Sequence, residues 1–76
     1  FSDLKIYQNP NNGNIFIVTE TKVQMSIFDN IGKLVSQKEL EKGVHSIDLN
    51  DYNSGVYLLK ISDAHSQKVV KLIKAD

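Results

Sequence analysis

The residues that carry most enzyme chemistry are scarce in this chain. A nucleophilic site needs a nucleophile, a base and a group that orients the base. The only imidazole bases are His45 and His65, and there is no Cys. Neither sits in a catalytic signature, and the pattern reads as a solvated His45 on a strand face and a His65 in a turn. A Ser-His-Asp set would also need a water-excluding pocket, which a chain of 76 residues struggles to enclose. Asp48 and Asp51, interleaved with Asn50 and Asn53, have some likeness to a calcium loop. The spacing fails, because a loop opening at Asp48 would want a ligand at Tyr52, Gly at Asn53 and Glu at Leu59. An Asx-rich turn, in which side chains satisfy local backbone groups, is the better reading. Gly13, Gly32, Gly43 and Gly55 stand too far apart to cradle a phosphate. No residue is therefore assigned to catalysis, to a cofactor or to a metal, and the chain is expected not to be an enzyme.

Recognition chemistry is better supplied. Tyr7, Phe16, Phe28, Tyr52 and Tyr57 would in principle make a stacking platform for sugars or bases. Most lie in segments that read as strands, where core packing is the commoner fate, and the core is where they are expected. Tyr57 follows Gly55-Val56 and is expected to pack where the chain re-enters a sheet. Lys68, Lys71 and Lys74 are the other notable group. Two readings stand side by side. Lysines on an edge strand discourage further strand addition; alternatively, a terminal strand of this kind is built to be read by a receptor. The residues alone favour edge protection.

The elements that must position these groups are marked by regular punctuation. Turn signals occur at Asn9-Pro10-Asn11-Asn12-Gly13, Asp29-Asn30-Ile31-Gly32, Glu41-Lys42-Gly43, Asn50 to Gly55 and Ser62 to Ser66. Most are about ten residues apart, the interval of a sandwich or barrel. Between them lie short runs rich in Val, Ile, Tyr and Phe: Leu4–Tyr7, Ile15–Val18, Val23–Phe28, Lys33–Glu39, Val44–Asp48, Val56–Ile61 and Lys68–Lys74. Val23, Met25 and Ile27 alternate with Gln24, Ser26 and Phe28, the period of two of a half-buried strand. Tyr57, Leu59 and Ile61 are expected on one face, with Val56 and Leu58 on the other. Gly43 stops any helix in Ser36–Lys42 within two turns, and Lys68–Lys74 is too short and too β-branched for one. The expectation is an all-β, immunoglobulin-like sandwich of about seven short antiparallel strands, forming a single domain over residues 1–76.

Composition narrows the partners. Nine basic and nine acidic residues cancel, which argues against nucleic acid and against charge-driven binding to anionic membranes. No apolar run approaches the roughly 20 residues of a membrane helix, and no signal peptide opens the chain. The abrupt start at Phe1 is compatible with a piece of a longer protein. An apolar share of 41% is that of an ordinary folded domain, not of a disordered tail.

Four stretches, taken together, resemble the type IX secretion C-terminal sorting domain. Ile6-Tyr7-Gln8-Asn9-Pro10, with Gly13 and Ile15 following, is similar to the family's opening motif. Ile27-Phe28-Asp29-Asn30-Ile31-Gly32-Lys33-Leu34-Val35 resembles its central hairpin, with Asp29 and Gly32 around the turn. Gly55-Val56-Tyr57-Leu58-Leu59-Lys60-Ile61 is similar to its Gly-Val-Tyr stretch, and Lys68-Val69-Val70-Lys71-Leu72-Ile73-Lys74 to its basic-apolar ending. The stretches occur in the family's order and cover nearly the whole chain. One departure is Gln8, where the family usually has the first Pro of its Pro-Asn-Pro run.

The resemblance implies a function without catalysis. Such a domain ends a cargo protein that has its own N-terminal export signal. It folds in the periplasm, is read there by the outer-membrane translocon and its shuttle proteins, and is removed by a surface sortase. The cargo then stays at the cell surface or is released. Lys68 to Lys74 is the expected recognition strand, with Val70 and Leu72 on one face and Lys71 and Ile73 on the other. Asn9, Pro10, Gly13, Asp29, Gly32, Gly55, Val56 and Tyr57 are motif and turn residues, the glycines standing where a side chain would clash. Asp76, two residues past Lys74, is a plausible natural C-terminus. The competing expectation is an adhesion or carbohydrate-binding sandwich that stays on the mature protein.

Overall fold

A computed structural model of the chain describes residues 4–9 and 13–74. Seven strands account for most of them: β1 (Lys5–Asn9), β2 (Asn14–Thr19), β3 (Val23–Phe28), β4 (Leu34–Leu40), β5 (Gly43–Asp48), β6 (Gly55–Ser62) and β7 (Gln67–Lys74). Each run read from the sequence as a strand is one, with ends shifted by a residue or two. All pairings are antiparallel. A three-stranded sheet has the order β1-β2-β5, and a four-stranded sheet the order β4-β3-β6-β7.

The short hairpin after β3 decides where the fourth strand goes. Asp29 Oδ1 accepts from the amides of Ile31 (3.1 Å) and Lys33 (2.8 Å), and Gly32, at φ 88°, donates to the Asp29 carbonyl at 3.1 Å. This tight reversal keeps β4 beside β3, with a bulge between Ile27 and Phe28. An immunoglobulin constant domain instead places its fourth strand in the other sheet. The result is a three-on-four sandwich.

The core follows from strand parity. Ile15 and Ile17 of β2, Val23, Met25 and Ile27 of β3, Ile47 of β5, Tyr57, Leu59 and Ile61 of β6, and Leu72 of β7 are all buried. Val56 and Leu58 lie on the opposite face of β6, as their alternation requires. The aromatics depart from expectation. Tyr57 is buried and Phe28 and Tyr52 are half-buried, but Tyr7 is 54% and Phe16 41% exposed. Their inward neighbours explain this: Ile15 and Ile17 take the core side of β2, so Phe16 must face out. Phe16 is directly opposite Tyr7, which therefore shares its face.

Two local devices fix the loop into β6. The Tyr57 hydroxyl donates to the Asn53 carbonyl at 2.7 Å, and its ring meets that of Tyr52 at 5.4 Å. A tyrosine that bonds back to the backbone upstream of its strand is a recurrent corner device in sandwiches. The expected Asx turn is present too, with the Asn50 amide donating to Asp48 Oδ1 at 2.8 Å. Gly13 ties this loop to the first hairpin, accepting from the Leu49 amide at 2.8 Å.

The glycines are required by conformation more than by crowding. At Gly13 (φ 69°) an added Cβ would also stand 2.7 Å from Asn50 Oδ1. At Gly55 (φ 149°) a Cβ would meet no atom within 4 Å, so the expected clash does not exist there, nor at Gly32. Gly55→Val is still expected to cost about 1–2 kcal/mol, because φ lies in a region L-residues avoid. For a domain of this size that is a fall of roughly 5–15 °C in melting temperature. Thermal unfolding by circular dichroism checks it, and an unchanged midpoint would show that the position carries no backbone strain. Pro10, the other expected turn residue of the first hairpin, lies outside the described residues.

Candidate functional site

The groups that could do chemistry are scattered. His45 lies in β5 with Nε2 2.6 Å from the Glu41 carbonyl, and His65 is exposed in the turn between β6 and β7, on the other sheet. That turn is organised by Asp63, whose Oδ1 accepts from the amides of His65 and Ser66, both at 2.8 Å. The His65 bond is the main cause that holds the Asp63 carboxyl below its ordinary range. Among the described residues, no group of three His, Asp or Glu side chains converges as a metal site would require.

The lysines of the terminal strand have separate fates. Lys68 and Lys71 are exposed, whereas Lys74 is buried, its Cε 3.3 Å from where a Cβ on Gly13 would stand. Val70 and Leu72 face the core side, and Val69, Lys71 and Ile73 face outward. β7 is an edge strand of its sheet. Gln8, at the family's proline position, donates from Nε2 to the Ile73 carbonyl at 2.7 Å and so links the edges of the two sheets. Backbone groups alternate sides along an antiparallel strand. Those of Val69 and Lys71 therefore share the Ile73 side, away from β6, and among the described residues no strand pairs with β7 there, while Gln8 caps it at Ile73.

The fold also gathers motif residues that are distant in sequence. Asp29 and Asn30 from the first hairpin of the larger sheet and Asn53, Ser54, Gly55, Val56 and Tyr57 from the loop into β6 line one recess of about 280 Å³. Register adds a feature that no single strand reveals. Phe28 is opposite both Leu34 and Leu58, Leu58 is opposite Lys71, and Val56 is opposite Ile73. An apolar row therefore crosses the outer face of the four-stranded sheet and ends beside the recess. Val56, Leu58 and Ile73 were assigned their faces from their own strands, whereas Phe28 was expected in the core and Leu34 was given no face; the alignment between strands was not legible.

A small sandwich with a terminal edge strand and apolar residues beside lysines on one sheet face has features that strand-adding and surface-docking modules use. The family model described as a secretion system C-terminal sorting domain matches residues 5–75. The chain belongs to that family, the C-terminal sorting domains of type IX secretion. Its members are sorting signals and not themselves enzymes, and the signal directs export to the cell surface or extracellular space through interaction with the type IX machinery. No curated protein matches the chain.

Proposed function

We propose that residues 1–76 form a single sorting domain at the end of a larger cargo protein. The domain folds in the periplasm, is bound by the outer-membrane translocon and its shuttle proteins, and is then removed by a surface sortase. The reading segment is the terminal strand, Lys68 to Lys74. The observation that carries this is the outer side of β7 at Val69 and Lys71, with which no strand pairs among the described residues, in the last strand of the family match. Free backbone donors and acceptors allow a partner strand to add, and alternate side chains set its specificity.

An export assay tests the proposal. Residues 1–76 are fused behind a fluorescent reporter that carries an N-terminal export signal. The fusion is expressed in a host with the type IX machinery and in a matched strain without the translocon. The expected result is reporter at the surface or in the medium of the competent strain only, and without the domain. Periplasmic retention in both strains would overturn the proposal.

One observation favours a second reading, a retained adhesion or carbohydrate-binding module. Tyr7 and Phe16 stand directly opposite one another and exposed on the outer face of the three-stranded sheet. Adjacent exposed rings stack on apolar faces of sugars. Micromolar binding in a glycan screen, lost in Phe16→Ser, would favour that reading.

A further inference from the structure

The outer face of the four-stranded sheet is more apolar than a solvated face requires. Leu34, Leu58, Val56 and Ile73 are 45%, 41%, 37% and 51% exposed, and Phe28 is half-buried among them. Their cross-strand register makes them one continuous patch, a pattern that marks interaction sites on small proteins. Charge is distributed unevenly around it. β6 and β7 contain Lys60, Lys68, Lys71 and Lys74 and no Asp or Glu, although the whole chain is neutral. Lys60 and Lys71 alternate with the apolar residues on this face. Its acidic strand residue, Glu39, lies at the far side on β4, opposite Gln24 and 3.1 Å from Lys22.

We propose that this face is the surface by which the domain docks onto the secretion machinery. Its partner is a protein surface with an apolar centre and carboxylates positioned over Lys60 and Lys71. The inference rests on the sorting reading and deepens it, extending recognition from the β7 edge across the sheet to Leu58 and Phe28. Complementary charge selects the occupant. A uniformly anionic bilayer would meet Glu39 at one side and Asp29 at the recess, whereas a folded protein can place its carboxylates over Lys60 and Lys71 alone. A second copy docking by a two-fold axis near β7 would bring Lys71 against its own equivalent.

The test uses the reporter fusion in the competent and translocon-deficient strains, with three variants. Leu58→Ser with Ile73→Ser removes the apolar centre, and Lys60→Glu with Lys71→Glu reverses the cations. Tyr7→Ser with Phe16→Ser is the control on the opposite sheet. All substituted side chains point outward, and circular dichroism confirms that each variant keeps a cooperative melt. Loss of central apolar or charge-matched contacts is expected to lower export at least about tenfold in the first two variants. The control is expected to export normally. Normal export of both sheet-face variants, or equal loss in the control, overturns the proposal while leaving the sorting reading intact. Failure of the parent fusion to export in the competent strain overturns the sorting reading itself. Binding to phosphatidylglycerol vesicles or dimerisation in sedimentation, present in the parent and absent in Leu58→Ser with Ile73→Ser, would assign the face to lipid or to a second copy and overturn the protein partner.

Discussion

A chain cut before Val70 is expected to show no cooperative unfolding and to leave its cargo in the periplasm. The cut removes Leu72, which is fully buried, and the partly buried Val70 that packs against the core. It leaves Gly55 to Leu59 of β6 without ladder partners on that side. It also removes the Ile73 carbonyl that accepts from Gln8, the bond between the two sheet edges. Loss of one buried leucine costs about 3–5 kcal/mol, and a domain of this length has only about 4–11 kcal/mol to lose. Far-UV circular dichroism with heating checks the fold, and fractionation of a reporter fusion checks export. A sharp melt near the parent midpoint together with normal export would show that β7 is needed for neither. Because unfolding by itself would block recognition, the truncation reports on the fold first. The outward substitutions on the same sheet separate recognition from stability.

Leu59→Ala is expected to be the most damaging single substitution of a side chain on β6. Leu59 is fully buried at the centre of the sheet, opposite Ile27 on one side and Val70 on the other. Truncation to Ala leaves a cavity between two sheets that cannot close without moving both. The expected loss is about 3–5 kcal/mol, a large part of the total. Urea unfolding should show a lower midpoint with an unchanged slope. Leu58→Ala, one residue away but facing out, is expected to change stability by under about 0.5 kcal/mol. Equal losses at the two positions would contradict the parity on which both the core and the outer face depend.

That parity was legible in the sequence. Alternation in Val23–Phe28 and in Val56–Ile61 assigned Met25, Ile27, Tyr57, Leu59 and Ile61 to one side, and each is buried. Turn residues located the reversals at Asp29–Gly32, Glu41–Gly43, Asn50–Gly55 and Ser62–Ser66, since groups such as Asp29, Gly32, Asp48 and Gly55 act through local geometry that the chain specifies within a few positions; the connection from β2 to β3, residues 20–22, carried no such signal. The order of motifs was enough to place the chain in its family.

What the sequence left open depended on pairs of strands. Aromatic type alone put Tyr7 and Phe16 in the core, but strand parity is set by which neighbours fill the interior, and Ile15 and Ile17 fill it. The Gln8 bond to Ile73 joins residues 65 positions apart and has no local signature. The row from Leu34 through Phe28 to Leu58 exists only once β4, β3 and β6 adopt their register, bulge included. Local turns and the period of two are properties of a single strand, so the sequence by itself determined the strands and their inner faces. Register is a property of two strands held by a shared core, so only the tertiary structure decided which outward residues form a surface.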